Sequence, residues 1–310
     1  MTQNSQSIKD PGFGSSYSRP TKRIINNDGS FNVRRLGIET GMTSMYQKLL
    51  SMTNLVFLGW IFVVYLSLNF FFALLYYVNG IENLIGVQAV GGFDDFLKCF
   101  YFSVQTFTTV GYGAIAPKGG VANGVAVLEA LTGLLSFSLA TGLLYGRFSK
   151  PKAKLLFSEN ALVAPYRDGK GFMFRLVNKR ENVLMDMKVE VLVVLRDPDR
   201  HGVQRRYFRL PLEMDKLSFM PLSWTVVHPI DADSPLYELD HDDFASQDAE
   251  ILILVSGFDD TFNQIVHSRY SYLASEIIVG AKFGVPFKPN DEGDVVMNIH
   301  DIHHHEKVKL

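Results

Sequence analysis

"TTVGYGAIAP", Thr108–Pro117, is a glycine-rich, hydroxyl-bearing stretch lying between two long apolar segments. Gly111 and Gly113 can take backbone angles that other residues avoid. Alternating such angles along one strand turns successive carbonyls to the same side. With the Thr109 hydroxyl added, the strand from Thr109 to Gly113 offers a ladder of oxygens reaching Tyr112. One strand supplies a quarter of a closed wall, so a ring of oxygens needs copies around a symmetry axis. Upstream, "FDDFLKCFYFSVQT" (93–106) repeats Phe96, Phe100 and Val104 every four residues and is too short to cross a bilayer. It predicts a half-helix. Non-helical backbone at membrane depth survives only when buried in protein or lining an aqueous cavity.

The flanks set that depth. No charged side chain occurs from Leu49 to Ile81, and "LVFLGWIFVVYLSLNFFFALLYYV" fills 55–78. About 20 apolar residues span the hydrocarbon core, so this segment is long enough. A second span runs from Gly119 to Phe148, interrupted only by Glu129 before Arg147. Length and aromatic density argue against buried helices of a soluble protein, and the first span lies too far from the N-terminus for a cleaved signal peptide. Lys9, Arg19, Lys22, Arg23, Arg34, Arg35 and Lys48 precede the first span; Arg147, Lys150, Lys152 and Lys154 follow the second. The loop between holds only Lys98 and Lys118. The positive-inside rule puts both termini in the cytoplasm, in a multi-pass protein of the cell (inner) membrane. The net charge of −2 says little about partners because the charges are segregated, and no nucleic-acid partner is expected. One cysteine, Cys99, excludes an intrachain disulfide and a cysteine metal cluster.

Four regions follow: a cytoplasmic N-terminal segment (1–42), a pore domain (43–150), a cytoplasmic all-β domain (151–287) and a polar tail (288–310). Residues 1–20, rich in Ser, Gly, Asn and Pro, read as a disordered leader. Asn27–Asp28–Gly29 marks a turn. "TSMYQKLLSMTN" (43–54) sets Met45, Leu49 and Met52 opposite Gln47, Lys48 and Ser51, a short helix at the membrane interface, with a cytoplasmic extension of the first span as the alternative. Beyond Pro151, "VLMDMKVEVLVVL" (183–195) places Met185, Met187, Val189, Val191 and Val193 on one face of a strand. Asp168–Gly169 signals a hairpin, "WTVVHPI" and "AEILILVSGF" add strands, and the sum is a β-sandwich. His300, His303, His304 and His305 fall in the tail.

A ladder of neutral carbonyls replaces the hydration shell of a weakly hydrated monovalent cation. "TVGYG" itself is the pentapeptide of potassium-channel filters, so K+ at Thr109, Val110, Gly111 and Tyr112 is a resemblance as well as a derivation. "NNDGSFNV", "RFSKPKAKLLFSENALVAPYRDGK", "SWTVVHPIDADSPLY" and "SRYSYLASEIIVG" narrow it. Over about Arg23 to Phe287 the chain resembles inward-rectifier potassium channels of the prokaryotic type. The resemblance implies a membrane α-helical pore of two transmembrane helices with a re-entrant pore helix and filter. It also implies a cytoplasmic immunoglobulin-like sandwich, a homotetramer, potassium selectivity and a response to anionic lipid such as phosphoinositide, its sign open. No cofactor is implied beyond the permeant K+.

Glu129, Gly133, Phe137, Thr141 and Tyr145 fall at steps of four on one helical face. If that face lines the pore, Phe137 and Tyr145 form hydrophobic rings that gate by dewetting, and Gly133 and Gly142 are candidate bending points. Glu129, an intramembrane carboxylate, is functional by default. It resembles the second-span glutamate of the bacterial branch and is read as filter support; Gln105 and Ile115 stand where many animal members have a glutamate and an arginine. The resemblance sets Phe137 and Ser256 where strong rectifiers hold acidic residues, which argues against strong polyamine block. Arg147, Lys150, Lys152 and Lys154 form a basic collar, each attracted to anionic lipid by about 1 kcal/mol. "GFDDTFNQ" (257–264) resembles the loop that narrows the cytoplasmic pore, with Gly257, Asp259 and Asp260 as candidates and a solvated turn as the alternative. No nucleophile elbow, phosphate-cradling loop or zinc-spaced cysteine pair supports an enzyme. A non-selective cation channel and a membrane-anchored sensor with an idle loop are the rival readings.

Overall fold

The computed structural model describes residues 7–14, 16–17, 23–37, 41–149, 153–197, 203–220 and 222–310. Residues 1–36 with 151–310 form one compact unit, and 37–150 a second. The first opens with β1 (Ser7–Ile8) and β2 (Ser16–Tyr17). The second follows with α1 (Met42–Ser51), α2 (Asn54–Asn79), β3 (Leu84–Ile85), α3 (Phe93–Phe107), β4 (Ala116–Pro117) and α4 (Gly119–Phe148). The first resumes with β5 (Leu155–Phe157), β6 (Ala161–Tyr166), β7 (Gly169–Asn178), β8 (Leu184–Asp197), β9 (Val203–Arg209), β10 (Lys216–Phe219) and β11 (Ser223–Ile230). After the short helix α5 (His241–Ser246) come β12 (Glu250–Asp259), β13 (Gln264–Leu273), β14 (Ile277–Val279), β15 (Ala281–Phe283), β16 (Phe287–Pro289), β17 (Val295–Met297) and β18 (His305–Lys307).

In the helical unit, the 26 residues of α2 and 30 of α4 reach past the roughly 30 Å hydrocarbon thickness at about 1.5 Å per residue. The 15 residues of α3 do not. Helix α2 buries only Phe57, Asn69, Phe72, Ala73 and Tyr76; the other faces are apolar because lipid is their solvent. Phe72, Tyr76, Leu84, Cys99 and Phe102 form the core of this unit, and β3 pairs with β4 at the two ends of the re-entrant segment.

In the β unit, one sheet runs β1-β9-β8-β12-β13 with β10 on β8 and β2 on β9; the other runs β11-β7-β6-β14 with β5 on β7. Phe172, Phe174 and Leu176 of β7 meet Val189, Val191, Val193, Ile251, Ile253 and Val255 in the core between them. The expected alternation of β8 holds from Met187 to Val193 and breaks on the N-terminal side of Met187. Asp186 has φ +47° and the β8–β12 register shifts between Ser256 and Phe258, so Leu184 turns inward where Met185 was expected. This is a β-bulge, one extra residue that flips the face. The hairpin loop is Arg167–Asp168, one residue earlier than expected, because Tyr166 pairs with Gly169.

Two expectations about the ends are corrected. Residues 1–6, 15 and 18–20 of the expected disordered leader lie outside the described residues; within the described part, β1 and β2 pair with β9, and Tyr207 Oη donates to the Gly14 carbonyl at 2.7 Å. Further along, the buried Glu250 carboxylate accepts from Ile24 N at 2.8 and 3.0 Å and from Ile25 N at 3.3 Å. The polar tail is likewise built into the unit. β18 pairs with β15, Ile302 is fully buried, and His303 Nδ1 accepts from Glu159 N at 3.0 Å. Ladder pairing uses main-chain groups, which polar composition does not forbid.

His228 is buried in β11. Its Nδ1–H donates to Pro211 O, so Nε2 accepts from Ser234 Oγ at 2.8 Å. Burial lowers its pKa below the ordinary 6.5. The unfolded chain therefore takes up a proton first as pH falls, and the native state loses stability below that ordinary value. The expected result is a smaller drop in unfolding midpoint between about pH 8 and pH 5.5 for His228→Gln than for wild type, read by denaturant titration of the purified protein.

Candidate functional site

Helix α3 delivers the chain into Thr108–Gly113. Its last carbonyls are partly taken up by the segment itself: Thr109 N donates to Thr106 O at 3.1 Å, while Val110 N and Gly111 N both donate to Gln105 O at 3.0 and 3.3 Å. Thr109, Gly111 and Gly113 then have φ of +58°, +53° and +78°. Every second residue is left-handed. Glycine adopts this conformation freely, but a β-branched threonine rarely does. Alternation at the two glycines was expected; its start at Thr109 was not visible in the sequence, because threonine carries no signal for positive φ. Val110 and Tyr112 stay largely exposed on this chain.

Beside this segment lies a buried polar network. Glu129 of α4 is 0% exposed; its Oε2 accepts from Tyr76 Oη of α2 at 2.7 Å, and its Oε1 accepts from Ser103 Oγ of α3. Ser103 Oγ also lies 3.0 Å from Asn69 O, and Asn69 Nδ2 donates to Tyr65 O at 2.8 Å. A carboxylate with both oxygens bonded joins three helices in a low-dielectric setting, where an unsatisfied group is expensive. Tyr76, Ser103 and Asn69 were missed by the sequence reading. Their signal was present: Asn69 is polar inside an apolar span and Ser103 inside the half-helix.

Along α4, Phe137 and Tyr145 are each 74% exposed and Thr141 lies between them, its hydroxyl bonded back to Phe137 O at 2.9 Å. Gly133 departs from that row. It is buried, and a Cβ built there would sit 2.2 Å from Phe107 O. It is a contact point for α3 and not part of an exposed lining, a correction to the expected role. Gly142 has nothing within 4 Å of such a Cβ, and α4 runs unbroken through both glycines.

The basic collar divides. Lys150 and Lys152 lie outside the described residues, and Lys154 is exposed. Arg147 is turned onto the α1–α2 junction, donating to Leu49 O, Met52 O and Asn54 Oδ1. Both of its Nη atoms are committed to protein oxygens, which corrects its place among the lipid contacts. In the 257–264 hairpin, Asp259 is 1% exposed, accepts from Thr261 N and Phe262 N at 3.1 and 3.2 Å, and lies 3.8 Å from Arg180. It shapes the turn with its carboxylate turned away from solvent, also against expectation. Gly257 is packed too closely on Met187 for a side chain, whereas Asp260, Phe262 and Ile265 are exposed.

Comparison with known proteins bears on these two units. Residues 155–310 match the family model of the inward rectifier potassium channel C-terminal domain, and residues 52–150 match an ion channel family model. The chain is 36% identical over 284 residues to inward rectifier potassium channel Kirbac3.1 of Paramagnetospirillum magnetotacticum, covering 91% of this chain and 95% of that protein. It is 31% identical over 204 residues to inward rectifier potassium channel 4 of Homo sapiens, covering 61% of this chain and 44% of that one. Two apolar helices, a re-entrant helix with its following glycine-rich segment, and a mostly-β domain thus coincide with matches across nearly the whole sequence: this membrane protein belongs to the inward-rectifier potassium channel family, a family of channels and not of enzymes.

Proposed function

We propose that four copies of this chain form a potassium-selective channel in the cell membrane, with both termini cytoplasmic. The alternation of left-handed residues at 109, 111 and 113 carries this reading, because it aims the carbonyls of one strand to one side. Four strands around an axis then supply stacked rings of oxygens at Thr109, Val110, Gly111 and Tyr112, a substitute for the hydration shell of K+. The α3 carbonyl end, the negative pole of its dipole, favours a cation at the foot of the strand. Glu129 holds the filter from behind through Ser103 and Tyr76. Exposure of Val110, Tyr112, Phe137 and Tyr145 on one chain suits a surface completed by its neighbours.

Phe137 and Tyr145 act as apolar rings that gate by dewetting. The hairpin at 257–264 narrows the cytoplasmic pathway through Phe262 and Ile265, with Asp260 rather than Asp259 as the exposed charge. Lys150, Lys152 and Lys154 attract anionic lipid, including phosphoinositide. With Phe137 and Ser256 in place of acids, block by polyamines is weak.

The test is potassium-driven uptake into liposomes containing the purified protein, with a sodium comparison, barium block and native mass measurement. Uptake that favours potassium, is blocked by barium and comes from a tetramer is expected. Equal sodium and potassium uptake supports a non-selective pore instead, and no uptake from an intact tetramer supports the sensor reading.

A further inference from the structure

The turn between α1 and α2 is only Met52–Thr53, and helix ends leave carbonyls without partners. The Thr53 side chain makes no cap bond to α2. Beside the local bonds Met52 N to Lys48 O and Phe57 N to Thr53 O, α4 supplies bonds to this junction. Arg147 Nη1 donates to Leu49 O at 2.6 Å; Nη2 donates to Met52 O at 2.6 Å and to Asn54 Oδ1 at 2.8 Å. The flat guanidinium lies 4.5 Å from the ring centre of Phe57, which is buried. One residue earlier, a Cβ at Gly146 would come within 3.1 Å of Tyr46 Oη and 3.5 Å of Leu50. Leu49 is buried at the same joint.

We propose that Arg147 is a positioning residue that locks the cytoplasmic end of α4 to the α1–α2 junction, so that the two move as one piece. All three acceptors are neutral oxygens, two of them main-chain, at the negative end of α1. The task needs a planar fork bonding two carbonyls and stacking on an aromatic face, which a lysine ammonium cannot reproduce. Shape matters here, not charge alone. Tyr145 lies two residues before Arg147, so the joint fixes where that ring stands. The consequence for conduction rests on the proposed function; the joint itself does not.

The experiment compares full-length wild type with Arg147→Lys, Arg147→Gln and Phe57→Leu in liposomes. Amide hydrogen exchange across residues 49–54 is read alongside barium-sensitive flux and the flux response to vesicle phosphoinositide. Both Arg147 variants are expected to exchange about ten-fold faster across 49–54. Basal flux should change in the same direction in both, with barium block retained and the half-maximal phosphoinositide content unmoved. Phe57→Leu, which keeps an apolar side chain and removes only the ring, should give a smaller change of the same sign. If Arg147→Lys matches wild type in exchange and flux, the fork is not required and the proposal falls. It falls equally if Arg147→Gln shifts the phosphoinositide response while leaving exchange unchanged, since Arg147 then acts on lipid. Faster exchange without any conduction by wild type upholds the joint and overturns only the channel reading.

Discussion

Gly111→Ala is expected to eliminate potassium-selective uptake while leaving assembly intact. The cause is the backbone, because nothing in the chain lies within 4 Å of the added Cβ. At φ +53° an L-residue pays about 1–2 kcal/mol for the left-handed conformation. In the proposed tetramer, four copies in one ring would bring that to roughly 4–8 kcal/mol. The strand relieves it by rotating the peptide back toward the extended region, which turns a carbonyl away from its fellows. A cation then loses part of its substitute hydration shell. Uptake is expected to fall at least about a hundred-fold, since each 1.4 kcal/mol is a factor of ten, with native mass showing the same oligomer as wild type. Unchanged selectivity in this variant would move the filter elsewhere.

Gly133→Ala acts through contact instead. The added carbon would lie 2.2 Å from Phe107 O and 3.0 Å from Phe107 C, both main-chain atoms with no rotamer to change. Either α4 withdraws from α3 or the end of α3 shifts, and Phe107 immediately precedes Thr108. Overpacking of this kind costs about 1–3 kcal/mol per chain. A lower thermal midpoint, a reduced oligomer fraction and loss of flux are expected together. Gly142→Ala, on the same helix with nothing near its Cβ, should be neutral or stabilising by up to about 1 kcal/mol, since alanine is the better helix former. A Gly133→Ala protein as stable and active as Gly142→Ala would refute the close contact.

The helical unit was legible because a bilayer imposes length. An uncharged run beginning beyond Lys48 and a short aromatic segment ahead of two glycines leave few arrangements, and α2, α3 and α4 lie within a residue or so of expectation. Partners were not legible. Glu129 announced itself as an acid in a span, but its bonds reach Tyr76 and Ser103 on other helices. Arg147 resembled its basic neighbours, and only the fold shows it turned toward Leu49 and Met52. Asp259 reads as a loop charge until the turn closes over it. The β1–β9 and β15–β18 pairings use main-chain groups and so left no trace in composition.

The β unit is assembled from both sides of the helical one, and this has a kinetic consequence. Ser7 pairs with Phe208, and Ile24 is held by Glu250. During synthesis the N-terminal segment emerges long before its partners exist, and the membrane spans are made in the interval. Contacts of such sequence separation form late and slowly, because loop-closure entropy must be met first. The sandwich therefore closes over its first residues only after both spans have been made. A chain stalled within the membrane segment would leave Ser7–Ile8 without β9 to pair with and Ile24 without Glu250.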